Sequence, residues 1–182
     1  DHPVLNDYAA SCKARGIPFY VMGDSKSPAN FTLDGCEFYS LERQRTAGFT
    51  LSENLPERHY GRKNLGYLAA IREGAEIIIE TDDDNYARPG FWEPRSRKVN
   101  AHLIEHAGWV NVYAHFTNAN IWPRGFALEH LRDPHRPLEQ YAMVNVDALI
   151  QQGLADENPD VDAIYRLALG VVVLMSPALM GG

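Results

Sequence analysis

Three consecutive aspartates, Asp82, Asp83 and Asp84, follow a run of isoleucines at positions 77–79 after only two intervening residues. Carboxylates this close together repel each other unless a positive charge lies among them. Mg²⁺ and Mn²⁺ prefer carboxylate oxygens, and Mg²⁺ is often bound by one or two protein carboxylates together with the phosphates of a nucleotide. The aspartates therefore predict a platform for a divalent cation and a diphosphate.

A buried strand over residues 75–81 is expected to position these acids, because continuous apolar runs are typical of the interior strands of parallel sheets. Ligands of open α/β sheets bind at the carboxyl ends of the strands, which is where the acids would emerge. A helix is predicted before this strand, over residues 60–73, because Leu65, Leu68 and Ala69 share one face and Gly74 can end it.

The beginning of the chain has the same order of helix and strand. Pro3 suits the first turn of a helix, Gly16 is a natural stop, and the apolar residues between them fall at helical spacing. A short strand is predicted to follow over residues 17–22. The two repeats favour an α/β fold with a mostly parallel central sheet flanked by helices. The strand that would complete the first βαβ unit would precede Asp1, so we expect the chain to be an incomplete part of a longer protein.

Two further strands are predicted, over residues 36–41 and over residues 110–114, where Val110, Val112 and Ala114 alternate with other residues. The apolar tail over residues 167–180 is interrupted by Gly170 and Pro177, and it falls short of the roughly 20 residues that a membrane-spanning helix needs. A buried strand is the favoured interpretation of this tail. No transmembrane segment is predicted.

Composition narrows the class of protein. A chain of 182 residues with 45% hydrophobic content is long enough for one α/β domain with a core. A formal net charge of -7 argues against nucleic acid as the main partner, because nucleic-acid binders usually display a basic surface. The two cysteines form no disulfide framework and fit a reducing compartment. We therefore expect a cytoplasmic location, or the Golgi lumen if the chain is part of a longer eukaryotic protein.

Several segments resemble a known family. They are RKNLGY at positions 62–67, GAEII at 74–78, ETDDDN at 80–85 and FW at 91–92, followed by QGLAD at 152–156 and PDVDAIYRL at 159–167. Together they resemble the nucleotide-sugar-binding half of GT-A glycosyltransferases, and most closely the STELLO-like group. The resemblance implies a single Rossmann-like GT-A domain over residues 1–182. Its nucleotide-sugar-binding part would cover about residues 1–100 and its acceptor part about residues 101–182.

The resemblance also implies an activity, the transfer of a sugar from a nucleotide-diphosphate donor to an acceptor that could be a glycan, a lipid or a protein. The family's Asp-x-Asp motif binds Mn²⁺ or Mg²⁺ on the donor diphosphate. By similarity, Asp84 is the principal metal ligand, Asp82 contributes to the metal site nearer the ribose or a water, and Asp83 lies with them against the donor. The expected nucleotide-binding residues besides these acids are Asp24 near the base and Arg62, Lys63 and Asn64 on the preceding helix.

The catalytic group is less well defined by the sequence. An inverting transfer needs a carboxylate base, and Asp162 is the candidate because it lies in a segment that resembles the family pattern. Asp160 follows Asn158 and Pro159 in an ordinary helix start, so a capping role is favoured for it.

Two alternatives to a transferase remain open. The segment from His102 to His106 has the H-x-x-E-H form of zinc peptidases, in which two histidines one helical turn apart hold zinc and the glutamate acts as base. Glu129 and Glu139 could supply the further ligand. The aspartate run could alternatively bind Ca²⁺ structurally or belong to a module that binds metal or nucleotide without turnover.

Overall fold

The computed structural model describes residues 2–28, 30–153 and 160–169, and the chain divides into two compact units, Asp1–Trp92 and Glu93–Gly182. The first unit contains the helices α1 (Pro3–Arg15), α2 (Leu41–Thr46), α3 (Thr50–Asn54) and α4 (Lys63–Arg72), and the strands β1 (Tyr20–Met22) and β2 (Glu37–Tyr39). The prediction of one domain whose two parts meet at about residue 100 stays a prediction.

Helix α1 is confirmed as predicted. It begins at Pro3 and ends at Gly16, whose φ of 64° is in the left-handed region that favours glycine. The Gly16 N–H donates to carbonyls of the last turn, which satisfies groups that a helix end would otherwise leave unpaired. Val4, Tyr8 and Cys12 are buried at helical spacing, so this face of α1 forms part of the core.

Strands β1 and β2 form a parallel pair in which Tyr20 lies opposite Glu37. They confirm the strands predicted over residues 17–22 and 36–41, in shorter form. Beyond β1 the pairing continues through Gly23, whose N–H donates to the Tyr39 carbonyl at 2.9 Å. A side chain at Gly23 would place its Cβ 2.5 Å from the ring of Phe38, so any larger residue here would displace that ring.

The helix predicted over residues 60–73 is confirmed as a short 3₁₀ turn, Tyr60–Arg62, that leads into α4. Leu65 and Ala69 are fully buried, and α4 packs against β1. The chain leaves the helix through Gly74, which has a φ of 86°. Helix α4 therefore lies on the parallel strand pair with its first turn next to the 55–62 connection.

The strand predicted over residues 75–81 is wrong. These residues form no strand with any other part of the described chain, and Ile77 and Ile79 are 77% and 51% exposed. A strand is stabilised by backbone hydrogen bonds to a neighbour, and an apolar run carries no information about which neighbour is available. The segment nevertheless leads from α4 into a turn at the aspartates, in which the Asn85 N–H donates to the Asp82 carbonyl at 3.3 Å.

The second unit contains an antiparallel pair, β3 (Lys98–His102) and β4 (Met143–Asp147), and the helix α5 (Ala163–Leu169). The pair is joined at one end by Arg97, whose guanidinium binds the carboxylate of Asp147. A small core is formed by Tyr113, Ile121, Val161 and Tyr165, with Trp122 packed against it. The strand predicted over residues 110–114 is wrong, because Val112–His115 is a 3₁₀ helix that buries Tyr113.

The α/β class is confirmed, but the predicted mostly parallel central sheet is replaced in the described residues by two two-stranded sheets, one parallel and one antiparallel. The sequence pattern predicted β1 and β2 but neither β3 nor β4, and it left the partner of each strand undefined. None of the helices in the described part of the chain is long and apolar enough to cross a membrane. The strand favoured for the apolar tail lies outside the described residues except for positions 167–169, which belong to α5.

Candidate functional site

The ammonium group of Lys63, in the first turn of α4, lies among three oxygen acceptors. It donates to the carboxylates of Glu80 and Asp82 and, at 2.8 Å, to the hydroxyl of Tyr60. Burial pulls the pKa of Lys63 down, but its hydrogen bonds to Asp82, Glu80 and Tyr60 outweigh burial and raise the pKa above its ordinary value. Tyr67 lies beside Glu80, and burial together with this carboxylate raises the pKa of its hydroxyl.

The other two aspartates of the run face solvent. The side chain of Asp83 is 74% exposed, with its carboxylate 3.7 Å from the His2 imidazole, and Asp84 is exposed in the turn. The run thus presents one carboxylate bound to a lysine and two directed to water. A solvent-facing carboxylate keeps its coordination positions available for a cation.

Asp24 lies just beyond β1 and holds the backbone of a distant loop. Its carboxylate accepts from the N–H of Arg58 at 3.0 and 2.8 Å and from the N–H of Ser25 at 2.6 Å. Burial would raise the pKa of Asp24, but these N–H groups and the charge of Arg62 outweigh it and hold the pKa below 3.8. Arg58 has a φ of 54°, an uncommon conformation for a residue with a side chain, and the Asp24 clamp stabilises it.

Arg62 is buried, and it holds the 55–62 connection through contacts on the side of that connection that faces the protein interior. Its guanidinium donates to the side-chain oxygen of Gln44 at 3.0 Å and to the carbonyls of Leu55 and Pro56 at 3.0 and 3.1 Å. The Gln44 amide in turn donates to the Gly23 carbonyl at 2.7 Å, at the carboxyl end of β1. Through these contacts Arg62 supports the loop. Its predicted position facing the nucleotide stays a prediction.

The 58–63 segment connects the two groups of residues. At one end Arg58 is held by Asp24, and at the other end Lys63 holds Asp82. The structure therefore brings together the four predicted residues Asp24, Arg62, Lys63 and Asp82 around the carboxyl end of β1 and the first turn of α4. Asn64 is exposed on the same turn. Its predicted contact with the nucleotide stays a prediction.

The donor chemistry of the acidic run fits a hard divalent cation, because its aspartates offer only carboxylate oxygens. Within residues 2–28, 30–153 and 160–169, no three His, Cys, Asp or Glu side chains converge closely enough to hold a metal ion by themselves. The run therefore fits a cation held by one or two aspartates and completed by water and a diphosphate. The alternative that the run binds Ca²⁺ structurally stays a prediction.

Comparison with curated proteins found two relatives in Arabidopsis thaliana, named "Probable glycosyltransferase STELLO1" and "Probable glycosyltransferase STELLO2". Each is 29% identical to this chain over 166 residues, covering 84% of this chain and 22% of the relative. The chain is therefore similar in sequence to two STELLO proteins. The predicted resemblance is therefore confirmed at the level of sequence, while the chain spans only about a fifth of the length of these relatives. No protein-family model and no solved structure matches the chain.

The capping contact that was favoured for Asp160 is made by Asp162. The carboxylate of Asp162 accepts from the Ile164 N–H at 2.8 Å at the start of α5, which is a helix-capping contact. Asp160 instead forms an exposed ion pair with Arg124. The predicted cap Asn158 lies outside the described residues. A catalytic role for Asp162 stays a prediction, and its capping contact is a sufficient structural reason for an acid at this position.

The zinc-peptidase alternative is contradicted by the local structure. His102 is the last residue of β3 and His106 follows in a loop, so the two are not one helical turn apart. The Nδ1 atom of His102 lies 3.3 Å from the Tyr141 carbonyl, and the Nδ1 atom of His106 accepts from the Gly108 N–H at 2.9 Å. A five-residue match cannot supply a helix, and the motif requires one.

Sequence reasoning missed Glu80, Tyr60, Gln44 and Arg58 as parts of this region. Glu80 was detectable, since in extended backbone residues two apart share a face and Glu80 therefore lies with Asp82. Tyr60 precedes Lys63 by three residues, a spacing at which neighbours on a helix meet. Gln44 and Arg58 gave no signal, because their contacts are with residues far away in the sequence.

Proposed function

We propose that the chain is the donor-binding part of a metal-dependent glycosyltransferase, which transfers a sugar from a nucleotide-diphosphate donor to an acceptor of unknown class. The observation that carries the proposal is the acidic run of Asp82, Asp83 and Asp84, clustered with a lysine beside the carboxyl end of β1, in a chain with STELLO relatives. The relatives are named as glycosyltransferases, and the cluster offers what the donor half of such an enzyme requires.

In this proposal the cation, Mn²⁺ or Mg²⁺, first contacts the carboxylates of Asp84 and Asp83, because these two side chains face solvent. Asp82 joins them as a ligand of the same cation. The bound cation would stabilise the negative charge that grows on the diphosphate as the sugar leaves. Asp24 and Arg62 contribute indirectly, since they fix the loop that lies against the site.

The rest of the Rossmann-like GT-A fold belongs to the proposal as well. The parallel β1–β2 pair with α1 and α4 is compatible with the donor half of such a fold. An acceptor-binding role for the second unit rests on the resemblance alone.

Isothermal titration calorimetry with UDP and GDP, each with Mn²⁺ and with a chelator, tests the proposal. We expect metal-dependent nucleotide binding that Asp84→Asn weakens by at least about tenfold, because a metal ligand is lost. Asp34→Asn is the matched control, since Asp34 is an exposed aspartate paired with Lys13. Equal nucleotide binding in chelator, in Mn²⁺ and in the Asp84 variant would show that the carboxylates do not hold a donor complex. Metal-dependent binding without release of sugar from any nucleotide sugar would identify a non-catalytic module.

A further inference from the structure

Lys63, Glu80 and Asp82 form a cluster of one positive and two negative charges at the start of the aspartate run. The ammonium of Lys63 is bound to the carboxylates of Glu80 and Asp82, and it lies 4.2 Å from the centre of the Tyr60 ring. The lysine side chain is only 24% exposed, whereas those of Glu80 and Asp82 are 41% and 46% exposed. The lysine is therefore the least exposed of these three side chains.

Asp82 is the point of conflict between this lysine and a divalent cation. The cation is proposed to bind the aspartate run, yet one oxygen of Asp82 is already occupied by the ammonium. A dication on the other oxygen of the same carboxylate would lie within a few ångströms of Lys63, where repulsion scales with the product of the charges. Each cation therefore weakens the binding of the other to Asp82.

Glu80 and Tyr60 give Lys63 a place to remain when Asp82 is lost. The carboxylate of Glu80 and the hydroxyl of Tyr60 stay within reach of the ammonium, and Glu80 by itself neutralises it. Release of Asp82 thus leaves no buried unpaired charge, which is the usual cost of breaking an enclosed ion pair.

We propose that Lys63 is an exchangeable counter-ion of the donor site. It neutralises Asp82 when no donor complex is bound. When a cation binds together with a nucleotide diphosphate, the ion pair between Lys63 and Asp82 breaks and Asp82 binds the cation. This inference rests on the proposed function, because it presupposes that the aspartate run receives a cation. It assigns to Lys63 a positioning role that controls when the site accepts metal.

In this exchange Lys63 lowers the affinity of the site for Mn²⁺ alone and increases the coupling between Mn²⁺ and nucleotide binding. Free Mn²⁺ must compete with Lys63 for Asp82, so the empty site binds free Mn²⁺ weakly. A diphosphate carries negative charge into the cluster and offsets both cations, so metal and nucleotide favour each other's binding, and this coupling is reciprocal. Loss of Lys63 should therefore strengthen the binding of Mn²⁺ alone and weaken the coupling between Mn²⁺ and nucleotide.

The test measures free Mn²⁺ by electron paramagnetic resonance during titration of the whole chain, first without nucleotide and then with UDP or GDP. For Lys63→Met we expect about tenfold tighter binding of Mn²⁺ alone, since one charge-assisted hydrogen bond no longer has to be broken. The enhancement of Mn²⁺ binding by nucleotide should fall by a similar factor. Lys63→Arg keeps the charge and should behave like the wild type, as should Lys13→Met, which removes an exposed lysine paired with Asp34.

A second variant separates exchange at Asp82 from a general loss of positive charge. In an Asp82→Asn background, Lys63→Met should give no gain in Mn²⁺ affinity, because the contested carboxylate is absent.

An equal gain in Mn²⁺ affinity in both backgrounds overturns the exchange, and so does an unchanged Mn²⁺ affinity in Lys63→Met. If Asp84→Asn still abolishes Mn²⁺ binding in those cases, the proposed function survives. If neither the wild type nor Lys63→Met binds Mn²⁺ with or without nucleotide, the proposed function fails together with the inference. Thermal unfolding monitored by circular dichroism verifies that each variant is folded.

Discussion

Replacing Arg62 by methionine removes the centre of a buried polar network while retaining most of the aliphatic volume of the side chain. Arg62 is 5% exposed and Gln44 is 0% exposed, so the contact between them is closed to water. The two carbonyls that Arg62 also binds, at Leu55 and Pro56, are part of the connection between α3 and α4. The Arg62→Met variant therefore tests whether this arginine is structural.

The expected destabilisation follows from the three hydrogen bonds that are lost. An acceptor left buried without a partner costs about 1–3 kcal/mol, which applies in full to the enclosed side-chain oxygen of Gln44. The carbonyls of Leu55 and Pro56 are reached from a partly buried position, so water recovers part of their loss. The sum is about 3 kcal/mol, a large share of the 5–15 kcal/mol that typically separates a folded domain from its unfolded chain.

Equilibrium urea unfolding followed by circular dichroism measures this loss, and amide hydrogen exchange in α2 and α4 locates it. Arg45→Met is the matched control, because Arg45 forms an exposed pair with Glu57 and should change stability by less than about 1 kcal/mol. A double-mutant cycle with Gln44→Met should give a coupling energy of at least about 1 kcal/mol. If Arg62→Met unfolds at the same urea concentration as Arg45→Met but loses nucleotide affinity, Arg62 faces the ligand and the structural interpretation is wrong.

Two further predictions concern acids that cap or clamp backbone. Because the folded-state pKa of Asp24 is depressed, its contribution to stability should be complete above its ordinary value of 3.8 and should be lost as the pH falls below that value. Asp24→Asn should reduce stability near neutral pH and flatten its acid dependence, and an unchanged urea midpoint from pH 7 to pH 3 in both proteins would contradict the clamp on Arg58. Asp162→Ala should cost about 1 kcal/mol through loss of the cap on Ile164, and Asp162→Ser should recover most of it. Asp160→Ala, which breaks only an exposed ion pair, should cost less, so an equal loss of thermal stability in the alanine variants at 160 and 162 would refute the capping assignment.

Local features of the chain could be predicted wherever neighbouring residues decide them. Pro3 and Gly16 bound α1 as expected, since the missing N–H of proline and the left-handed conformation of glycine are properties of the residues themselves. The same holds for α4 and its stop at Gly74. The aspartate run was recognised for the same reason, because like charges adjacent in sequence need a common counter-charge whatever the fold.

The contact between Lys63 and Asp82 was decided only by the tertiary structure. Sequence chemistry required a positive group near Asp82 and predicted a metal ion for the run, which stays a prediction. The folding of α4 adds Lys63, 19 residues earlier in the chain, as a partner of Asp82. The isoleucines before the aspartates failed as a strand for a related reason, since a strand exists only with a hydrogen-bonded neighbour. The types and spacing of the residues thus determined which carboxylates and strands need partners. The partners were decided by contacts between segments far apart in the sequence, because no local pattern encodes the geometry of such contacts.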